Sequence, residues 1–290
     1  MDSPDRLEKA LQAAVALADD DDCPPRLREA LTYALFPGGA RVRPKLTLSI
    51  ATACGAEDAQ AVDTTAAAVE LLHCASLVHD DLPCFDAAPT RRGKPSVHVA
   101  FGQRLAVLAG DALIVLAFEA LSRAAALNPQ RLPVMVQLLA AAASVPRGIA
   151  AGQAWECEDN VPLTRYQRQK TGALFVAAAT LGAAVAGADP EPWARVGERL
   201  GEAYQVADDI LDVSADPEEI GKPVGVDGSL ARPNSVLRRG MQASEKLLRE
   251  RVAEAVDAIP DCLGQAALKT LIAGEARHFV ELALHRSAAA

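Results

Sequence analysis

Leu77-Val78-His79-Asp80-Asp81-Leu82-Pro83-Cys84-Phe85-Asp86 sets three carboxylates at the end of an apolar helical run. A straight helix would point Asp86, six residues after Asp80, away from it. Pro83 disfavours a continuous helix, and a break there swings Asp86 back toward Asp80. A second stretch, Val206-Ala207-Asp208-Asp209-Ile210-Leu211-Asp212-Val213, again laces acid through apolar residues. Asp208 and Asp212 are i, i+4 and share one helix face. Like charges at that spacing repel, and a hard divalent cation is the natural neutraliser. Either cluster alone reads equally well as a charged helix end. Together they read as two clusters facing each other across a cavity and holding several metal ions. Magnesium keeps waters and takes a few carboxylates plus substrate phosphates, so the pattern predicts a diphosphate or triphosphate ligand.

Outward from these clusters the chain reads as helix throughout. The apolar spacing predicts helices over 5–18, 25–36, 43–54, 59–82, 97–126, 130–152, 163–187, 190–213, 233–257 and 261–286. Breakers mark the junctions: Pro37-Gly38-Gly39, Pro83, Pro162, Pro190 and Pro217. No strand pattern, fixed-period repeat or dividing linker is read, so the expectation is one all-α domain over 1–290. The run Ala173 to Ala188 is uncharged but carries glycines and is shorter than the ~20 residues of a membrane span, so it predicts a buried helix. Asp19 to Asp22 reads as a solvated loop.

Composition agrees. Half of the 290 residues are apolar and only 4% are aromatic, with Ala and Leu abundant, which favours helix. The net charge is −9, which offers no global field for nucleic acid. Anionic ligands must therefore be met locally, and basic residues lie near the right places: Arg41 and Arg43 after the Gly38-Gly39 turn, Arg91-Arg92, Lys170-Thr171 and Lys222. Arg suits bidentate phosphate contact and Lys a point charge. No Walker loop or GxGxxG supports a nucleotide. Six cysteines, at 23, 54, 74, 84, 157 and 262, form no CxxC pair. That predicts neither disulfides nor zinc and fits the reducing cytoplasm. Met1-Asp2-Ser3-Pro4-Asp5 shows no targeting pattern.

At this point the sequence resembles the trans-isoprenyl diphosphate synthases. DDLPCFDAAPTRRG at 80–93 is similar to that family's first aspartate-rich motif, in the form with four residues between the Asp pair and the next Asp. YQVADDILDVSADPEEIGKP at 204–223 is similar to the second. GGARVRP at 38–44, GDAL at 110–113, GQAWE at 152–156 and KTG at 170–172 match in order and rough spacing, so the resemblance covers about 33–240. It implies a bundle of long antiparallel helices around a deep central cavity, usually a homodimer; a cytoplasmic location without membrane insertion is expected from the cysteine pattern and the hydropathy. It implies Mg2+ on Asp80, Asp86 and Asp208, with Asp81, Asp209 and Asp212 contributing directly or through water. Arg91, Lys170, Thr171, Gln205 and Lys222 would hold the allylic diphosphate, and Arg43, His73 and Arg92 isopentenyl diphosphate. Lys170, Lys222 and Arg91 would stabilise the departing diphosphate. Four positions depart from the pattern: Ala40 stands where a Lys is usual, Ala87-Ala88-Pro89 replaces a stretch often carrying two more acids, Glu156 replaces an Asp, and Arg232 replaces a late Lys. Arg41 is a candidate to compensate for Ala40, although its side chain would point elsewhere.

Chain length follows from the helix before Asp80. The small Ala75 and Ser76, one turn before it, leave room for a growing tail, and Leu72, two turns before it, would cap the room lower down. The resemblance then implies geranylgeranyl diphosphate as product. The alternatives are farnesyl diphosphate, a non-catalytic partner subunit of a heteromeric prenyl synthase motivated by Ala40 and Ala87–Pro89, and a class I terpene cyclase, which the paired aspartate motifs disfavour.

Overall fold

The computed structural model describes residues 3–36, 38–125, 129–214 and 235–275, and these are helical almost throughout, as the pattern predicts. Contacts cluster in two compact units, Met1–Leu139 with Leu181–Ala188 and Ala140–Thr180 with Asp189–Ala290.

The first unit holds α1 (Ser3–Val15), α2 (Pro25–Leu35), α3 (Val42–Ala53), α4 (Ala59–Asp80), α5 (Val97–Phe101) and α6 (Gln103–Ala125). Pro25 opens α2 at its first position, where a missing N–H costs nothing. Asp58 caps α4 by accepting from the Ala61 N–H at 2.9 Å. α4 is the central element of this unit, packing on α1, α3 and above all α6. Leu71 and Leu72 are fully buried, each stabilising by about 1.5–3 kcal/mol.

The sequence expects no strands, yet a small hairpin follows the first acidic motif. Thr90–Arg91 (β1) pairs antiparallel with Lys94–Pro95 (β2). Its two central residues, Arg92 and Gly93, have φ of 54° and 74°, the positive values of the two-residue turn that matches strand twist. Two-residue strands are too short to leave an alternation in the sequence. Gly102, at φ 90°, divides the expected helix 97–126 into α5 and α6.

The second unit holds α8 (Ile149–Ala154), α9 (Leu163–Gln167), α11 (Trp193–Ser214), α12 (Ser235–Arg239) and α13 (Met241–Asp257), with a further helix over 265–275. α7 (Leu132–Ala143) and α10 (Ala173–Ala186) each contribute residues to both units. α10 is buried as expected. Between α9 and α10 the chain widens into a π turn, Arg168–Gly172. α11 packs on α13 over a core of Ala203, Val206, Ala207, Ile210, Val236 and Leu248. By length and composition alone, Ala59–Asp80, Gln103–Ala124 and Leu163–Ala186 could cross a membrane. In the first and third, 72% and 78% of the apolar window is buried within the protein, against 44% for Gln103–Ala124.

Candidate active site

In the first unit α4 ends at Asp80, and the turn beyond it brings Asp86 back. The Asp86 N–H donates to the Asp80 carbonyl at 3.0 Å, the return that Pro83 predicts. Asp80 and Asp86 are partly exposed. Asp81 is buried and accepts from Arg91 Nε at 3.1 Å and Nη2 at 2.5 Å. Burial outweighs this pairing and leaves the Asp81 carboxyl above its usual pKa. The pair fixes the Arg91 guanidinium beside the acidic turn. His79 rests on α6, its Nε2 3.3 Å from the Val107 carbonyl and 3.5 Å from Asp111. Gly110 makes that possible, because a Cβ there would meet the imidazole at 2.1 Å.

Lys94, Arg92 and Arg41 gather around the hairpin and the Gly38-Gly39 turn. Lys94 donates at 2.5 Å to the carbonyls of Tyr33 and Phe36, satisfying the C-terminal end of α2. Tyr33 Oη donates to the Pro95 carbonyl at 2.8 Å, so the hairpin is pinned to α2 twice. The Gly38-Gly39 turn lies against two guanidiniums. A Cβ at Gly38 would strike that of Arg41, and one at Gly39 would approach Arg92 Nε at 3.1 Å. Arg41 is in the left-handed region, at φ 53°, and its side chain is turned inward. It donates to Glu70 at 2.7 Å, to Glu8 at 2.9 Å and to the Leu35 carbonyl at 2.8 Å. Burial works to lower its pKa, but the two carboxylates prevail and raise it. Arg41 is therefore tied into the core and does not stand in for the Lys missing at position 40. His73 is held neutral: burial carries its pKa well below 6.5, and Arg43, Arg92, Arg91 and Arg41 push the same way. A neutral imidazole offers one N–H to an anion and no charge.

Of the three chain-length positions on α4, Leu72 and Ala75 are buried. Ser76 is partly exposed, with its hydroxyl donating to the His73 carbonyl at 2.8 Å.

In the second unit the π turn carries Lys170 and Thr171. Glycines allow its close packing. A Cβ on Gly152 would sit 2.3 Å from the Lys170 backbone nitrogen, and one on Gly201 would sit 2.8 Å from the Gly172 Cα. Lys170 Nζ donates to Glu156 at 2.5 Å, and Tyr166 Oη donates to the same oxygen at 2.6 Å. The carboxylate retained at 156 thus aims the ammonium. Thr171 Oγ1 donates to Gln205 at 2.6 Å, and the Gln205 amide donates to Asp209 at 2.8 Å. The other Asp209 oxygen accepts from the Ser235 N–H at 2.8 Å. Asp209 is only 1% exposed and Asp212 is buried, whereas Asp208 is partly exposed. Lys222 and Arg232 lie outside the described residues.

Among the described residues, no group of three or more His, Cys, Asp or Glu side chains is gathered closely enough to hold an ion by itself. The hard oxygens of Asp80 and Asp86 in the first unit, and of Asp208 in the second, are each of the kind that suits a cation completing its shell with waters and phosphate oxygens, as magnesium does. Sequence reasoning missed Glu8, Glu70, Lys94 and Tyr166 as members of these networks. Glu70 left a signal, being a lone acid inside the apolar run Val69 to Leu72, where a buried charge requires a partner.

The sequence profile of the polyprenyl synthetases matches residues 24–267. Over 267 residues, covering 92% of this chain and 93% of the relative, the chain is 51% identical to a geranylgeranyl diphosphate synthase of Cereibacter sphaeroides. It is 46% identical to the enzyme of that name from Rhodobacter capsulatus, with 92% of each chain covered. A crystal structure of a geranyltransferase from Helicobacter pylori, complexed with magnesium and isoprenyl diphosphate, superposes with a TM-score of 0.77 at 27% identity, covering 96% of this chain and 98% of that one.

Proposed function

Because this chain belongs to the polyprenyl synthetase family, we propose that it is a magnesium-dependent prenyltransferase joining isopentenyl diphosphate to allylic diphosphates, with geranylgeranyl diphosphate as product. The observation that carries the reading is the 51% identity over 92% of the chain to a geranylgeranyl diphosphate synthase. Both aspartate motifs are retained.

Asp80, Asp86 and Asp208 would hold the magnesium, assisted by Asp81, Asp209 and Asp212. Magnesium, when bound, supplies positive charge to the diphosphate as its bond to the allylic carbon breaks. Arg91 and Lys170, fixed by Asp81 and Glu156, would add charge that needs no rearrangement during the step. Thr171 and Gln205 would orient the same group, and Lys222 is expected to join them. Arg43, Arg92 and the neutral His73 would hold isopentenyl diphosphate. Its alkene attacks the allylic cation, a carbon–carbon bond forms, and the proton then lost passes to the released diphosphate. Apolar walls keep water from the cation.

Several further points belong to this reading. Val107, Leu108 and Val115 of α6 are 41%, 52% and 66% exposed, on a face shared with the exposed Arg104 and Asp111, and a second copy of the chain would cover this face in a homodimer. Val115→Asp is then expected to give a monomer by light scattering. We place the enzyme in the cytoplasm, outside the membrane, in accord with its six free cysteines.

The test incubates purified protein, magnesium and labelled isopentenyl diphosphate with dimethylallyl, geranyl or farnesyl diphosphate and sizes the products. A 20-carbon product is expected, and Ala75→Tyr should shorten it. A 15-carbon product would make the chain a farnesyl diphosphate synthase. No elongation by folded protein would favour the partner-subunit alternative.

A further inference from the structure

Glu70 sits in mid-α4, 1% exposed, and nothing in the proposed chemistry uses it. Its carboxylate accepts from Arg41 at 2.7 Å and lies 3.9 Å from Arg92 Nη2. Cys74, one turn along α4, places its sulfur 3.9 Å from the same Glu70 oxygen and 4.0 Å from Arg41 Nη1. Burial pushes the Cys74 thiol up to about 12, with Glu70 adding to it, so the thiol stays neutral. Arg92 is one of two central residues of the hairpin turn, at φ 54°. Gly39 closes over it from the α2–α3 connection. Arg92 is thus met by Glu70 from α4 and by the glycine turn, while Glu70 also grips Arg41, the residue that opens α3.

We propose that Glu70 is a positioning residue for isopentenyl diphosphate binding, setting the Arg92 guanidinium that it faces from α4. This rests on the function proposed above. The arrangement matters more here because Ala40 carries no charge of its own, leaving the remaining guanidiniums to do the binding. A buried carboxylate between two guanidiniums fixes both where a solvated arginine would sample many rotamers.

The experiment measures KM for isopentenyl diphosphate and for the allylic substrate separately in Glu70→Gln, Glu70→Asp and Glu8→Gln, with melting temperature alongside. Glu8 holds Arg41 from α1. Glu70→Gln is expected to raise KM for isopentenyl diphosphate about tenfold, because it removes the negative charge that Arg92 faces at 3.9 Å, while the allylic KM stays within about twofold. Glu8→Gln is expected to lower the melting temperature with both KM values unchanged. If Glu70→Gln does not fold, Glu70→Asp carries the test: it keeps the charge but is too short to reach both arginines, and the same selective rise is expected. In an Arg92→Ala background Glu70→Gln should add less than about a further twofold, since the two act as one unit. Equal rises for both substrates, or a melting shift with no change in KM, would overturn the proposal. Failure of the unmutated enzyme to elongate any starter would instead overturn the functional reading.

Discussion

The two aspartate motifs differ in how the second acid of each pair is held. Asp81 is gripped by a charged donor, Arg91, only ten residues on, in the hairpin that follows. Asp209 is held by a neutral amide on its own helix, Gln205, and by the N–H of Ser235, 26 residues on. The first motif is therefore assembled by one short stretch of chain. The second is complete only when the chain returns at the start of α12. In both, the arrangement leaves the first acid of the pair, Asp80 or Asp208, partly exposed and buries its neighbour. Two adjacent carboxylates thereby acquire different tasks, one toward a cation and one toward the protein.

Removing the exposed acid should have the largest effect. Asp80→Asn and Asp208→Asn are each expected to lower kcat/KM by about 10³-fold, the scale of losing a main electrostatic contribution to the transition state. Comparable activity in either variant would end the division of labour between exposed and buried acids. Breaking the charged grip comes next. Arg91→Gln should destabilise the fold by about 2 kcal/mol in chemical denaturation, below the full figure for a buried pair because Arg91 is partly exposed. The neutral grip should cost less. Ser235→Pro deletes the N–H that Asp209 uses, at the first position of α12 where proline is otherwise accepted. It is expected to cost about 1 kcal/mol, with Ser235→Ala as the control for the hydroxyl. If Ser235→Pro costs more than Arg91→Gln, the ranking of the two grips is reversed.

The smallest effect concerns pH. His73 has a folded pKa well below its unfolded value of 6.5, so below that value the unfolded chain binds more protons than the folded one. Its contribution is full above pH 6.5 and is lost progressively as pH falls. His73→Gln should flatten stability against pH below about 6.5. An unchanged slope would mean that His73 titrates normally.

The sequence by itself determined the all-helical fold and the break after Asp80, because helical periodicity and the backbone restriction of proline act over a few neighbouring residues. It also determined which residues fall into the two acidic motifs, and the resemblance of those motifs placed the chain in its family. Other features were invisible there for physical reasons. The hairpin at 90–95 is two residues a side and leaves no alternation. The π turn that presents Lys170 and Thr171 depends on backbones meeting at Gly152 and Gly201, contacts made between helices. The inward turn of Arg41 follows from Glu8 and Glu70, acids 33 residues before it and 29 after it in the chain. Charge is written in the sequence, but its partner is not. Which carboxylate faces a cation and which holds an arginine is decided only when packing removes water from one of them.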